Sequence, residues 1–414
     1  MEVVYTHCAG LDVHKKTVVA AIIVPASEGG LLKETRTFGT MTDDLLGLSD
    51  WLLSHGVTHV AMESTGEYWK PVYNILENNF ELLLINAQHI KAVPGRKTDV
   101  NDAEWIVELL RHGLLRASFV PPLGQRELRE LTRYRITFVR ERATLVNRVQ
   151  KVLESANIKL GSVATDVMGV SARAMLEAII AGQATPDEMA ELAKGRLREK
   201  RAELVKALSG RVKPHHRFVL SELLCQIDNL DEAIEHFNEQ IEAYCRPFEQ
   251  AVTLLDTIPG VAREAAEIIV AEIGVDMSRF PSAHHLAAWA GVAPGNYESA
   301  GKRKSGRLRQ GNRTLKTVLN QAAHAAARTK DTYLAAQARH LTGRRGKKRA
   351  IMAVAHSILV IAYHLIQRQE PYRELGGNYF DQRRPAATTK RLVERLEQLG
   401  YQVSLQPQGA ALAA

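Results

Sequence analysis

Two long amphipathic segments, residues 125–156 and 217–244, constrain the fold of this chain more than any other feature. In each of them apolar side chains recur at the spacing of one helical face. A long helix with one apolar stripe must bury that stripe against a partner. The pattern therefore predicts either an antiparallel helical arm or a coiled coil that dimerises the chain, beside the simpler alternative of a helical spacer.

The first of these segments also has a basic side. We predict that this side contacts nucleic-acid phosphates, with charge reversal flattening the salt dependence of binding. Its members are Arg129, Arg133, Arg140, Arg148 and Lys151.

The chain before the first long helix alternates between strand-like and helix-like patterns. Three adjoining strands, with a Gly29-Gly30 turn before the third, predict an antiparallel meander, and later strands alternate with helices. We predict an α/β unit, a mixed sheet covered by helices in a ribonuclease H-like order. The predicted strands are 10–13, 17–24, 31–38, 57–62 and 81–85, and the predicted helices are 42–55 with Thr42 as its cap, 68–78 and 100–112.

Pro121, Pro122 and Gly124 mark a boundary, and the character of the sequence changes again after Thr253. We predict smaller helices over 158–214 and a mostly α-helical C-terminal part. The predicted division is 1–120 for the mixed sheet, 121–250 for the helical region, 251–370 for a C-terminal catalytic domain, and 371–414 for a basic extension whose last residues, 406–414, form a disordered tail.

Residues 254–274 have the pattern of a helix-hairpin-helix element, with a Pro-Gly turn at Gly260. Such a turn exposes amides at a helix N-terminus, where they hold a phosphate oxygen. A helix over 284–290, a loop rich in Gly and Ser up to Gly311, and helices over 313–327 and 350–368 follow.

A formal net charge of +8 and a pI near 9.3 favour a polyanionic partner, although solvated surface explains a basic average equally well. The distribution of charge is more informative because the cations form two runs. The first run is Lys302, Arg303, Lys304, Arg307, Arg309, Arg313 and Lys316, and the second is Arg344, Arg345, Lys347, Lys348 and Arg349.

Neither a disulfide framework nor a membrane span is predicted. Cys8, Cys225 and Cys245 are too few and too far apart for a disulfide scaffold or a four-thiolate zinc site. The longest apolar stretches, 17–24 and 351–366, are short or interrupted by His, and no signal peptide is recognisable. We therefore expect a soluble cytoplasmic protein.

Four carboxylates are candidate metal ligands. Asp12 and Glu63 close predicted strands, while Asp99 and Asp102 stand three apart at the start of a helix. Carboxylates that converge from separate elements repel one another unless cations neutralise them, and oxygen ligands suit Mg²⁺ or Mn²⁺. Two such ions, roughly 4 Å apart, would clamp a scissile phosphate. Taken singly, each carboxylate is better explained as a surface or capping residue.

A serine is the second candidate. Ser299 precedes Ala300, Gly301 and a Lys-Arg-Lys run, and a serine nucleophile that attacks a phosphate needs activation and nearby cations. Ser305 competes for this role, and both serines are equally well explained as turn residues.

These motifs together resemble those of the DEDD transposases of bacterial insertion sequences, which are described as bridge-RNA-guided recombinases. The resemblance extends in order from Gly10 to Ala327. It is carried by residues 10–15 (Gly-Leu-Asp-Val-His-Lys), 62–66 (Met-Glu-Ser-Thr-Gly), 97–103 (Lys-Thr-Asp-Val-Asn-Asp-Ala), 131–135 (Leu-Thr-Arg-Tyr-Arg), 258–261 (Ile-Pro-Gly-Val), 286–294 (Leu-Ala-Ala-Trp-Ala-Gly-Val-Ala-Pro), 298–301 (Glu-Ser-Ala-Gly) and 311–313 (Gly-Asn-Arg).

The resemblance implies that Asp12, Glu63, Asp99 and Asp102 are the metal-binding quartet of a RuvC-like domain, and that Ser299 forms a covalent phosphoserine with DNA. It implies a site composed from two subunits of a dimer or tetramer. A noncoding bridge RNA would pair with donor and target DNA, while the protein reads backbone and shape. It also implies a bacterial, nucleoid-associated protein. The chain departs from shorter relatives at 158–214 and in its basic C-terminal extension, so oligomer geometry and RNA contacts there do not carry over.

Two other functions stay open. A metal-dependent RuvC-like nuclease would hydrolyse DNA with water and would not need Ser299. A non-catalytic nucleic-acid-binding protein would keep the fold but have no use for four carboxylates.

Overall fold

The computed structural model describes residues 2–64, 66–86, 102–295, 297–308, 310–383 and 385–405, and it leaves out the side chains of 297–299 and 303–305. The chain forms two compact units, Met1–Pro121 and Pro122–Ala414. The predicted tail at 406–414 and the predicted helix start at 100 lie outside the described residues.

The first unit is built on a five-stranded mixed sheet. Its strands are β1 Cys8–Val13, β2 Thr17–Pro25, β3 Leu31–Gly39, β4 His59–Glu63 and β5 Glu81–Ile85. They are arranged in the order β3-β2-β1-β4-β5, in which β1, β2 and β3 are antiparallel neighbours while β4 runs parallel to both β1 and β5. The predicted meander followed by strands interleaved with helices is confirmed.

Helices cover both faces of this sheet because its central strands are apolar on both sides. Helices α1 Thr42–Ser54 and α2 Trp69–Leu76 pack on the face that contains Leu11 and Met62. Helix α3 Asp102–Arg111 packs on the opposite face, against Ala61 and neighbouring side chains.

The prediction that Thr42 caps α1 is wrong. Met41 occupies the cap position without a side-chain hydrogen bond, and Thr42 is the first helical residue. Asp43 and Asp44 in the first turn stabilise this end instead, because carboxylates interact favourably with the exposed amides of a helix N-terminus.

The second unit begins with an antiparallel pair of long helices, α4 Leu123–Ser155 and α9 Pro214–Cys245. Their direction is clear from paired side chains: Arg135 contacts Asn238 near one end of the pair, and Ser155 contacts His216 at the other. Within one chain the two apolar stripes are buried toward both ends of the arm and half-buried between them, at residues such as Ile234 and Phe237. The structure therefore contains the antiparallel arm.

The far half of the arm has its own hydrophobic core. Leu153 of α4 and Ile227 of α9 pack there with apolar residues of the short helices between them. Those helices are α5 Leu160–Val163, α6 Val170–Ala181, α7 Pro186–Glu191 and α8 Arg201–Leu208, with a 3-10 turn at Gly195–Lys200.

The near half of the arm packs into a second core, made with the C-terminal helices. These are α10 Glu249–Asp256, α11 Arg263–Ile273, α12 Ala283–Trp289, α13 Arg313–Ala326, α14 Tyr333–Arg345 and α15 Lys347–Arg368, followed by α16 Tyr379–Arg383 and α17 Pro385–Gln398. Residues 291–311 include a hairpin of β6 Tyr297–Ser299 and β7 Lys302–Ser305 where we predicted a loop.

Helix α14 was missed in the sequence because its buried face consists largely of alanines, which give a weak apolar signal. Thr332 caps this helix, because its hydroxyl accepts a hydrogen bond from the amide of Ala335.

The prediction that no apolar stretch meets the criterion for a membrane span is wrong for α15. By length and composition alone, its 22 residues are long and apolar enough to cross a membrane. His356 and His364 interrupt the apolar run without lowering its mean hydropathy enough to exclude it. Residues such as Val354, Ile358 and Leu359 are nevertheless fully buried in the C-terminal core, as expected for a core helix of a globular domain.

Candidate active site

Asp12 and Glu63 end two neighbouring parallel strands of the first unit. Leu11 pairs with Met62 in the register of β1 and β4, so Asp12 and Glu63 follow side by side at the next position. Side chains alternate between the two faces of a strand. Asp12 and Glu63 each come two residues after Gly10 and Ala61, so they belong to the same face as that pair, which is the face covered by α3. The fold therefore places these two predicted ligands on one face of the sheet, at the C-terminal ends of β1 and β4.

Asp102 is brought to the same face by the close approach of α3 to β1. A Cβ atom on Gly10 would lie 2.4 Å from the carbonyl oxygen of Ala103 and 2.5 Å from the amide nitrogen of Val107, so only glycine permits this approach. Asp102 is the first residue of α3 and stands next to that crossing.

Asp12 has a close neighbour in His14, two residues further along the chain. The Nε2 atom of His14 lies 3.1 Å from Oδ2 of Asp12, and the Asp12 side chain is one-fifth exposed. Asp99 lies outside the described residues. Within the described parts of the chain, no three His, Cys, Asp or Glu side chains are close enough together to hold a metal ion.

Ser299 is placed at the tip of the β6–β7 hairpin. It pairs with Lys302 across a two-residue turn in which Ala300 and Gly301 have φ values of 51° and 70°. Positive φ at both central residues is typical of a type I′ turn, and an alanine there is strained. Ala300, Gly301 and Lys302 are all exposed.

The two candidate serines occupy different ends of the hairpin. Ser305 pairs with Tyr297 at the open end, whereas Ser299 adjoins the turn. The hairpin continues into a bridge between Pro294 and Leu308. The backbone thus gives different positions to Ser299 and to its competitor Ser305, although it does not test the role of either one.

The first basic run is distributed over this hairpin and the helix that follows it. Lys302 and Arg307 are exposed on the hairpin segment, Arg313 is exposed at the start of α13, and Lys316 is half-buried one turn later. The side chains of Arg303 and Lys304, and the whole of Arg309, lie outside the described residues.

Gly260 has a structural reason to be glycine. It lies in the turn between α10 and α11 with φ of 86°, and a Cβ atom there would lie 2.4 Å from the amide nitrogen of Ala326. The turn therefore packs tightly against the end of α13. A phosphate-binding role for its amides stays a prediction.

The second basic run forms an exposed corner, which we call the basic corner. Arg344 and Arg345 lie in the last turn of α14, Gly346 makes the turn with φ of 79°, and Lys347 and Lys348 begin α15. All of them are exposed, and none takes part in an ion pair of the described residues. Cations at the N-terminus of a helix are unfavourable for the helix dipole, so the start of α15 is a suitable place for a bound anion.

The predicted basic side of α4 is only partly available. Arg133 binds Glu272 of α11 through two hydrogen bonds of 2.8 and 2.9 Å, and Arg129 donates to the carbonyl oxygens of Ala271 and Glu272 at 3.1 and 2.7 Å. Burial lowers the pKa of Arg129 to about 10, so it stays charged at neutral pH. The expectation that these two arginines bind phosphates is therefore not supported, whereas Arg140, Arg148 and Lys151 are exposed.

Strand-end carboxylates in one unit and exposed cations beside a serine hairpin in the other are typical of an enzyme that acts on the phosphodiester backbone of nucleic acid. Residues 9–158 match the transposase family of the DEDD IS110 type, and residues 252–339 match the transposase family IS116/IS110/IS902. The chain belongs to this transposase family, and it is a DNA transposase.

Two curated relatives agree with this assignment. The transposase for insertion sequence element IS1111A of Coxiella burnetii is 28% identical over 295 residues, which are 70% of this chain and 72% of that protein. The pilin gene-inverting protein of Moraxella bovis is 26% identical over 155 residues, which are 34% of this chain and 48% of that protein.

Proposed function

We propose that this transposase cuts and rejoins DNA through a covalent bond between Ser299 and a DNA phosphate. The observation that carries the proposal is the placement of Ser299 beside an exposed type I′ turn, paired with Lys302. A nucleophile must approach a bulky duplex without obstruction, and the tip of a hairpin provides that access. Neighbouring cations stabilise the charge that develops on the phosphate.

The proposed reaction conserves the number of phosphodiester bonds. The Oγ atom of Ser299 loses its proton and attacks phosphorus, and the DNA oxygen that leaves takes up a proton as a hydroxyl. Attack by a hydroxyl of another DNA end on the phosphoserine then reverses the step and releases Ser299. No external energy source is needed because each bond that breaks is replaced by one of similar energy.

The carboxylates of the first unit would hold Mg²⁺ or Mn²⁺ in a RuvC-like, ribonuclease H-like domain. Asp12 and Glu63 lie side by side at the C-terminal ends of β1 and β4, and α3 brings Asp102 to the same face of the sheet. These are the hard oxygen ligands that such ions prefer, and Asp99 would complete the set. When bound, the ion supplies positive charge that neutralises a scissile phosphate.

For the larger assembly we propose the domain roles, the RNA guide and the composite site that the resemblance to the DEDD transposases implies. The domains are 1–120 with the carboxylates, 121–250 with the arm, 251–370 with Ser299, and the basic extension 371–414. A bridge RNA would select donor and target DNA, and two subunits of a dimer or tetramer would compose each site. The exposed basic corner and the free part of the basic side of α4 are the surfaces that we assign to phosphate backbones.

Trapping the covalent intermediate tests the role of Ser299. Wild type, Ser299→Ala and the matched control Ser305→Ala are each incubated with Mg²⁺, the noncoding RNA and a supercoiled plasmid that carries the element, and protein–DNA adducts are separated under denaturing conditions. We expect adducts with wild type and Ser305→Ala and none with Ser299→Ala. Equal cleavage by all three without an adduct would identify a hydrolytic nuclease, and omission of the RNA tests the guide.

Charge-neutral variants of the carboxylates test the metal site. Asp12→Asn and Glu63→Gln keep the size of each side chain but remove a charged ligand, so we expect at least a 100-fold loss of adduct formation, about the effect of removing one strong electrostatic interaction at a reacting phosphate. Isothermal titration with Mn²⁺ should show weaker binding in both variants. Asp50→Asn is the control, since Asp50 is exposed on α1. Full activity in Asp12→Asn would reject the assignment.

A further inference from the structure

A buried carboxylate, Glu272, lies in the last turn of α11 with no exposed surface. A buried charge is tolerated only when partners satisfy it. The two carboxylate oxygens of Glu272 accept the two hydrogen bonds from Arg133 of α4, and Oε2 also accepts one of 2.6 Å from Nδ2 of Asn312. Nε of Arg129 lies 3.5 Å from the same oxygen.

Helix α4 is clamped to the end of α11 by further contacts. Gln125 and Arg129 donate to the main-chain carbonyl oxygen of Ala271 at 3.0 and 3.1 Å, and Arg129 reaches the carbonyl oxygen of Glu272. These carbonyls lie in the C-terminal turn of α11, where no following N–H group of the helix is available to donate a hydrogen bond to them. Arg129 and Arg133 of α4 both contact Glu272, through its main-chain oxygen and its carboxylate respectively.

Asn312 connects this cluster to the hairpin that carries Ser299. Its Oδ1 accepts from the amide of Leu315 at 3.0 Å and caps α13, while its Nδ2 donates to Glu272. Gly311, immediately before it, packs against the backbone of Ala290 and Gly291, where a Cβ atom would lie 2.4 Å from the Gly291 amide nitrogen. The two ends of the segment that contains the hairpin therefore meet beside Asn312.

The hairpin stem extends from this meeting point. Gly295 donates its amide to the carbonyl oxygen of Arg307 at 3.1 Å, and Pro294 pairs with Leu308. A shift of Asn312 would consequently displace the base from which Ser299 is held.

We propose that Glu272 is a positioning residue for Ser299, acting through Asn312, and that Arg133 fixes the Glu272 carboxylate in turn. This inference rests on the proposed role of Ser299. Residues 131–135 and 311–313, two segments that resemble transposase motifs, have one structural role in common. Each supplies a hydrogen-bond donor to the buried carboxylate of Glu272, Arg133 from the first and Asn312 from the second.

A reciprocal swap of side chains tests the contact. Asn312→Asp keeps the size of the side chain and the oxygen that caps α13, but it places a carboxylate against the buried carboxylate of Glu272. Glu272→Gln removes the charge that Arg133 and Asn312 recognise. In the double variant the amide and the carboxylate exchange places, so a donor again faces an acceptor across the contact.

Two readouts are measured on the full-length protein. One is the rate of adduct formation with the plasmid and RNA, and the other is hydrogen exchange of the amides in 295–308. We expect Asn312→Asp to lower the rate about 100-fold, the cost of a displacement of about 1 Å of a reacting group, and to accelerate exchange in the hairpin. The double variant should recover both only in part, because the new amide restores the contact with residue 312 but accepts only one hydrogen bond from Arg133. A merely structural role would lower stability in the single variants, with coupling between them, and would leave the rate of adduct formation by the folded protein unchanged.

The outcomes separate this inference from the proposed function. If wild type forms no serine adduct, the role of Ser299 fails, and hairpin exchange still reports whether Glu272 holds the stem. Unchanged exchange and rate in Asn312→Asp, or a double variant no better than Asn312→Asp alone, would overturn the inference.

If Asn312→Asp does not fold, Arg133→Lys takes its place, because it keeps the charge at a half-exposed side chain and removes the paired hydrogen bonds to Glu272. An unchanged rate and exchange in Arg133→Lys would likewise contradict the inference.

Discussion

At the scale of single residues, a glycine sets how closely the helix that begins with Asp102 approaches the strand that contains Asp12. Gly10 has no side chain to separate β1 from α3, so the first turn of that helix lies directly on the strand that contains Asp12. The sequence shows the Gly-Leu-Asp motif but not why the glycine matters. The reason appears only when α3 is seen to cross the strand at this position.

Gly10→Ala should therefore damage both stability and activity. The new methyl group would overlap backbone atoms of Ala103 and Val107, which cannot move without shifting α3. We expect a loss of about 1–3 kcal/mol in the free energy of unfolding, as for other overpacked sites. Adduct formation should also fall because Asp102 moves with the helix.

Urea denaturation followed by circular dichroism measures the loss of stability, and the trapping assay measures activity. Gly47→Ala is the matched control, since Gly47 is exposed within α1 and has no atom within 4 Å of a new Cβ. Alanine there should add about 0.5–1 kcal/mol of stability. Equal behaviour of the two variants would contradict the close approach of α3.

At the scale of secondary-structure elements, charge is distributed according to what the helices already bind. Arg129 and Arg133 of α4 are engaged by α11, whereas the basic corner between α14 and α15 has no ion-pair partner among the described residues. Both stretches look equally basic in the sequence. Only packing distinguishes cations that hold the protein together from cations that remain available to a polyanion.

The double variant Lys347→Glu/Lys348→Glu should weaken nucleic-acid binding and at the same time stabilise the protein. The slope of log affinity against log salt should become shallower by about 0.9 for each phosphate that the basic corner no longer neutralises. Carboxylates at the start of α15 interact favourably with its dipole, so stability should rise by about 0.3–1 kcal/mol per residue.

Fluorescence anisotropy with labelled DNA and RNA at several salt concentrations measures the slope, and thermal unfolding measures the stability. The double variant Lys194→Glu/Lys206→Glu, whose two lysines are exposed and far from either basic run in the sequence, controls for the change in net charge. An unchanged salt slope would remove the basic corner from the nucleic-acid interface.

At the scale of the whole molecule, the two units each contain one buried thiol. Burial raises the pKa of Cys8 in the first unit and of Cys245 in the second to about 12, and Cys225 on the arm is exposed. The thiolate is the reactive form of cysteine. At pH 8 the two buried thiols are therefore both inaccessible and almost entirely protonated.

We expect a thiol-specific reagent to modify only Cys225 quickly in the native protein and all three cysteines in denaturant. In Gly10→Ala, Cys8 should become reactive at a lower urea concentration than in wild type, while the reactivity of Cys245 is unchanged. Mass spectrometry of the modified peptides distinguishes the three sites. Simultaneous exposure of Cys8 and Cys245 would show that the two units unfold as one.

The sequence by itself determined the local structure of this transposase. Strand-like segments bounded by turn residues or helices predicted the strands of the first unit, with β5 placed at its observed bounds, and helical periodicity predicted α4 and α9. Such patterns are local because strand and helix place side chains on one face at fixed spacings. The motifs likewise indicated the transposase family, to which the chain belongs.

Only the tertiary structure decided which of those residues act together. It showed that α4 and α9 pair within one chain, that the predicted Gly-rich loop forms a hairpin, and that two arginines assigned to phosphates bind Glu272 instead. Glu272 drew no attention in the sequence because a glutamate near the end of an apolar helix looks like any exposed carboxylate. Its burial depends on residues more than a hundred positions away along the chain, a separation that no local periodicity encodes.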